Sequence, residues 1–276
     1  MADIVIAAHN EGRAIDPALT RLAPLTAAGD VRLIVVAHGS NGAAQVASSL
    51  GPAVQVLSTS AASKQEALRT GDEAASGFPR VYLDADVDLG AQDLLALIAE
   101  VTKPGVLAAA PRLVMDTDGS PSLVRWYFEV YLQLPEVRRG LLGRGVIAVS
   151  EAGYERLACN APSLGFDLAA YRAFAPAERR VVDRATAHRK PPQTVAALLA
   201  GRISAAVTLA RFERERRLWP SRAWTRPADL AGIIWADPAL TLKVGWFIVT
   251  MIVAKMSARA AVARDKWRAY GGRQAA

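Results

Sequence analysis

An α/β fold, a mostly parallel sheet flanked by helices with a C-terminal helical tail, follows from three observations. Short, continuous apolar runs alternate with helical stretches over the first hundred residues. Each of three of these runs ends in a cluster of polar residues. Basic and apolar residues then gather together in the last quarter of the chain.

The elements follow in order. Residues 3–8 form a short apolar run, and residues 14–28 have a helical pattern. Residues 31–37 (VRLIVVA) are apolar and β-branched, and 43–50 are helical again. Two more strands are expected at 53–57 and 80–83, around a helix at 64–75. Strands apolar on both faces, joined through helices, indicate a parallel sheet covered on both sides. In such sheets ligands bind beyond the carboxyl ends of the strands. Those ends here are His9-Asn10-Glu11, His38-Gly39-Ser40-Asn41 and Asp84-Ala85-Asp86.

After a helix at 91–103 the pattern loosens into a strand at 106–115, an aromatic-rich helix at 123–132, a strand at 146–150 and a helix from 151 to 157. The segment Gly140-Leu141-Leu142-Gly143-Arg144-Gly145 lacks the preceding strand and following helix of a dinucleotide fingerprint, so it reads as a substrate-side loop. The division expected is a catalytic domain over 1–215, its donor half 1–103 and acceptor half 104–215, followed by a basic, apolar tail over 216–276.

Composition narrows the function. With 276 residues the chain can bury a full core. The single cysteine, Cys159, excludes an intramolecular disulfide and a Cys-based zinc site. No signal-peptide pattern precedes the first strand, which suggests the cytoplasm. From Gly201 onward there are 14 Lys/Arg against 5 Asp/Glu, a net of +9, while residues 1–200 hold 19 against 21, a net of −2. Positive charge combined with apolar residues suits an anionic membrane surface, and no aromatic RNA-binding signature accompanies it, so no nucleic acid is expected. The apolar run 244–254 is 11 residues long, shorter than the roughly 20 needed to span a bilayer. It reads as a core helix, as an interfacial helix or re-entrant hairpin, with Trp235, Trp246, Trp267, Lys255 and Arg259 suited to a headgroup boundary, or as a transmembrane span.

Asp84-Ala85-Asp86 is the most telling feature, because two carboxylates at i and i+2 where a strand runs out can face one divalent cation, and that cation can hold a diphosphate. Together with Ala7-Ala8-His9-Asn10-Glu11 and Ser63-Lys64-Gln65-Glu66-Ala67-Leu68-Arg69-Thr70-Gly71, in that order and spacing, it resembles family-2 glycosyltransferases. Those are inverting nucleotide-sugar enzymes of the Rossmann-like GT-A fold, with Pro-Ala-x-Asn-Glu, lysine and Asp-x-Asp motifs in these places. The likeness covers about the first 90 residues. More weakly, residues 145–150 with Gly153 resemble the family's acceptor-side strand.

The resemblance implies a UDP- or GDP-linked sugar donor, Mn2+ or Mg2+, and a lipid or saccharide acceptor. It places the nucleotide sugar against Ala8, Asn10, Glu11, His38, Lys64, Asp84, Ala85, Asp86 and Arg202. It gives the metal to Asp86, with Asp88 to complete the coordination. Asp167 would be the general base that deprotonates the acceptor hydroxyl. Each has a structural alternative: Glu11 at a helix dipole, Lys64 and Arg202 solvated, Asp88 in a turn, Asp167 as a helix cap. His188 is either a late metal ligand or a surface histidine before Arg189-Lys190-Pro191-Pro192.

Two departures from the family pattern stand out. His38 stands where the family has an acidic residue that reads the base, and Gly165-Phe166-Asp167 keeps one carboxylate where two adjacent acids are usual. An acceptor that is a lipid phosphate, already ionised at neutral pH, needs no strong base. Alternatives to sugar transfer are a non-catalytic nucleotide-binding or scaffold protein of the same fold, and a nucleotidyltransferase. The expected location is the inner face of the cell membrane, with peripheral contact through the tail.

Overall fold

The computed structural model describes residues 1–9, 16–38, 54–59, 64–141, 143–160, 169–170, 173–215 and 225–271. They pack as two compact units, Met1–Val114 with Arg139–Arg189, and Met115–Arg138 with Lys190–Ala276.

The first unit is built on an eight-stranded sheet. Its strands are β1 (Ala2–His9), β2 (Val31–His38), β3 (Val54–Thr59), β4 (Arg80–Asp84), β5 (Val87–Leu89), β6 (Ala108–Met115), β7 (Val146–Val149) and β8 (Arg179–Arg189). Their spatial order is β3-β2-β1-β4-β7-β6-β8-β5. The expected fold class is the observed one. Parallel pairing holds among β3, β2, β1 and β4, while β7 meets β4 and β6 antiparallel and β5 meets β8 antiparallel. Helices α1 (Asp16–Ala27), α2 (Lys64–Ala74), α3 (Ala91–Val101) and α6 (Glu151–Asn160) lie against this sheet.

The apolar runs become strands because both their faces are covered. Ile4, Val5, Ile6, Leu33, Ile34, Val35 and Val36 are all fully buried, and at about 25 cal/mol per Å2 of apolar surface such strands supply most of the driving force for this unit. Strand β1 carries one charge inside that core. Asp3 accepts from Arg32 through both carboxylate oxygens, and from the backbone N–H groups of Ser76 and Gly77, each at 2.7 Å. Burial opposes its ionisation, yet the Arg32 guanidinium and the two N–H donors outweigh burial and hold its pKa below the ordinary value. This knot ties β1, β2 and the segment leading into β4. Nearby, Arg80 is buried between the Phe78 and Tyr154 rings, 4.8 and 4.2 Å from their centroids, and donates to Asp72 at 3.0 Å. Burial pushes the Asp72 carboxyl up, and the Tyr82 hydroxyl and Arg80 restrain the shift.

Two strands were not anticipated. Strand β8 buries Val182, Ala185 and Ala187 at uneven spacing and exposes Arg180, Asp183 and Arg184, so small apolar residues and a broken period leave little strand signal. Strand β5 has three residues, too few for a pattern. The helix expected at 43–50 lies outside the described residues.

The second unit is helical: α4 (Ser122–Tyr131), α5 (Pro135–Arg139, whose last residue belongs to the first unit), α7 (Val195–Glu215), α8 (Pro227–Ala236), a 3-10 turn (Pro238–Leu240) and α9 (Thr241–Gly271). Its core joins Val124, Tyr127, Val130, Leu198, Ile233 and Phe247. Tyr127 stacks on Phe247 at 5.0 Å, and burial pushes its hydroxyl up to about 12. Residues 115–138 and 190–215, grouped from the sequence with the acceptor half, thus pack with the tail, because α9 buries its inner face against α7 and α4.

Helix α9 runs far beyond the 11-residue apolar run seen in the sequence. The stretch Pro238–Arg264 is 27 residues long and contains an 18-residue window of mean hydropathy 1.6, 28% of it buried, so by length and composition it can cross a membrane. It exposes Leu242, Val249, Ile252, Val253 and Met256, and Trp235 on α8 is 90% exposed.

Candidate functional site

The end of β4 gathers the charged residues. Asp84 closes the strand opposite Ala7 of β1, and Ala85 and Asp86 make the turn into β5. Because β5 joins β8 at the far edge of the sheet, the turn carries Asp86 toward the last residue of β8, Arg189. The Arg189 Nη2 atom lies 2.6 Å from Asp86 Oδ2 and 4.0 Å from Asp84 Oδ2. Lys64, the first residue of α2, places its Nζ 2.5 Å from Asp84 Oδ1. Two carboxylates of the Asp-x-Asp turn therefore converge on one cationic nitrogen, with a second cation beside them.

Gly145, which ends the glycine-rich segment read from the sequence, lies beside Asp84. Buried Arg144 anchors the segment, donating to the carbonyls of Gly140 at 2.8 Å and Pro111 at 2.5 Å. The Gly145 carbonyl accepts from the Asp84 N–H at 2.7 Å. Gly145 has φ +69°, and a Cβ there would sit 2.5 Å from Val87 Cγ2 and 3.2 Å from Asp84 Oδ2. Only glycine lets the loop approach the carboxylate this closely.

Divalent cations such as Mn2+ and Mg2+ take hard oxygen ligands and leave positions open for phosphate and water. Asp84 and Asp86 fit two of those positions, since they already share one positive charge and both reach the surface, with 22% and 46% of the side chain exposed. Among the described residues no three acidic, histidine or cysteine side chains form a ready metal cage. Asp88 instead pairs with Arg21 of α1 at 3.0 Å, and its buried Oδ1 has no hydrogen-bond partner among the described residues. His188 stands opposite it in the β5–β8 ladder.

Of the other residues singled out from the sequence, Ala8 is buried near the end of β1, and Ala85 is buried in the turn. His38 is the last residue of β2, with its backbone alone described. Asn10, Glu11 and Asp167 lie outside the described residues. Arg202 belongs to the second unit, where its guanidinium is 3.5 Å from the Tyr127 hydroxyl and 5.9 Å from the Tyr127 and Tyr131 ring centroids. Sequence reasoning missed Arg189, taking it as part of a turn. The usable signal was a basic residue ending an alternating stretch just before Lys190-Pro191-Pro192.

No protein-family model matches this sequence, and no curated protein matches it. Solved structures do. The chain is similar to mannosyl-3-phosphoglycerate synthase from Rubrobacter xylanophilus, with TM-score 0.57 and 20% identity over 82% of this chain and 77% of that one. It is similar to glucosyl-3-phosphoglycerate synthase from Mycobacterium tuberculosis in complex with phosphoglyceric acid, with TM-score 0.55 and 18% identity over 80% and 81% of the two chains. The latter enzyme in complex with Mn2+, UDP-glucose and phosphoglyceric acid matches with TM-score 0.54 and 20% identity over 76% and 79%. At these identities the likeness establishes the GT-A-type fold.

Proposed function

We propose that this chain is a glycosyltransferase that moves a sugar from a UDP- or GDP-linked donor to a lipid-linked or saccharide acceptor, with inversion at the anomeric carbon. The observation that carries this reading is the convergence of Asp84 and Asp86 on a single cation at the end of β4, with Lys64 alongside. Support comes from the fold shared with enzymes whose complexes contain Mn2+ or Mg2+ together with UDP or UDP-glucose.

In this reading Asp84 and Asp86 hold Mn2+ or Mg2+, which neutralises charge building on the leaving diphosphate. Lys64 and Arg189, paired with those carboxylates, would supply positive charge to the diphosphate beside a metal held by Asp84 and Asp86. Gly145 lets the backbone come close beside Asp84. Asn10, Glu11 and His38 serve the nucleoside, and Asp88 supports the metal side. Asp167 takes the proton of a hydroxyl acceptor; an ionised phosphate acceptor does without it. The exposed apolar side of α9, with Trp235 and the basic residues Lys255 and Arg259, docks at the inner face of the cell membrane.

Calorimetric titration with UDP and GDP, each with and without Mn2+, tests the donor site. Metal-dependent binding of one nucleotide, lost in Asp86→Ala, is the expected result. A folded protein that binds neither would overturn the reading in favour of a non-catalytic scaffold.

A further inference from the structure

The second unit contains an open channel of about 620 Å3 along α7 and α9, lined in part by Thr225 and Leu230. That is the size of small-molecule sites, which run from roughly 300 to 1,000 Å3. Its origin lies in residue size. Ala205, Ala206 and Ala210 of α7 and Ala254 and Ala258 of α9 are among its lining residues, and side chains this small leave room along the packed helix pair.

The lining changes character along α9. Ile248, Ile252, Lys255 and Arg259 recur at steps of four, three and four, which puts them on one helix face. Two apolar turns therefore lead into two cationic turns on the same wall. The described lining contains three cations, Arg202 being the third, and no acidic side chain. A hydrocarbon surface that ends in positive charge is complementary to one kind of molecule, a chain with an anionic head.

The geometry points to a binding site for a single-chain alkyl phosphate, its hydrocarbon between Ile248, Ile252 and the alanines of α7, its phosphate at Lys255 and Arg259. Phosphate suits the Arg259 guanidinium, which presents forked donors to its oxygens. The exposed Val249, Val253 and Met256 on the adjoining side of α9 continue the apolar surface outward and offer the chain a route from a bilayer. The site rests on the second unit alone and does not depend on sugar transfer.

The test is calorimetric titration of the full chain with dodecyl phosphate below its micelle concentration, beside dodecyl maltoside and inorganic phosphate. Saturable one-to-one binding of dodecyl phosphate is expected, weakened about tenfold in Arg259→Gln and at least as much in Ala206→Phe, which fills the channel. Retained metal-dependent UDP binding in the same variants shows that the donor site is untouched. No binding of dodecyl phosphate, equal binding of dodecyl maltoside, or binding indifferent to Ala206→Phe overturns the proposal. Photolabelling of the unsubstituted protein with a diazirine-bearing alkyl phosphate provides a second measurement that needs no variant. Labels within residues 202–210 and 248–259 support the site, and labels confined elsewhere refute it.

Discussion

Replacing Gly145 with alanine tests whether the loop beside Asp84 is as tightly built as its geometry implies. The substitution has two separable effects. Alanine at φ +69° meets the steric penalty of the left-handed region, about 1–2 kcal/mol. The new Cβ also lands 2.5 Å from Val87 Cγ2, more than an ångström inside normal carbon contact. Valine has little rotamer freedom to yield, so an overpacking cost of about 1–3 kcal/mol follows. The sum, about 2–5 kcal/mol, is a large part of a typical folding free energy of about 5–15 kcal/mol. Gly105 supplies the control, because it has φ +77° with nothing within 4 Å of an added Cβ. Urea unfolding of both variants reads the two terms: Gly105→Ala gives the backbone penalty, and the excess in Gly145→Ala gives the clash. Because the same Cβ would lie 3.2 Å from Asp84 Oδ2, metal-dependent UDP binding falls as well. Equal stability losses in the two variants would refute the close approach.

Other outcomes follow from the charged residues. Asp3→Asn places an amide among N–H donors and leaves Arg32 without its anion, at a cost of about 2–4 kcal/mol in urea unfolding. The folded pKa of Asp3 lies below its ordinary 3.8, so its stabilising effect is present above that value and lost as pH falls through the folded one. Melting temperature measured from pH 6 down to pH 3 therefore drops more steeply in the native sequence than in Asp3→Asn. Arg189→Ala removes the guanidinium that competes with metal at Asp86, so Mn2+ alone binds about two- to fivefold more tightly by paramagnetic resonance, a modest gain because the pair is partly exposed. UDP affinity in the presence of Mn2+ falls in the same variant and in Lys64→Ala. Flotation with vesicles containing anionic lipid is expected to carry the protein, less so after Trp235→Ala and in high salt, and flotation unchanged by either would count against membrane docking.

Much of the first unit was legible in the sequence because its strands are buried on both faces, and continuous apolar runs such as 31–37 survive any choice of partner. The carboxylates Asp84 and Asp86 were legible because the chemistry of a short motif is local. Arg189 was not, since its role depends on β8 pairing with β5, a contact between residues 103 positions apart. Helix α9 was underestimated for a related reason. Its hydropathy alternates on either side of the central run, and helical continuity through Lys243, Lys255 and Arg259 is decided by packing against α7 and α4 rather than by an unbroken apolar segment.

By itself, then, the amino-acid order determined an α/β sheet with acids at a strand end and a basic, apolar tail, because periodicity, charge and turn chemistry act over a few residues. The tertiary structure alone decided which cations meet those acids, that Asp88 turns to Arg21, and that small residues on two helices leave a channel along them. Each of these depends on distances across the fold, and such distances are set by the packing of the whole core.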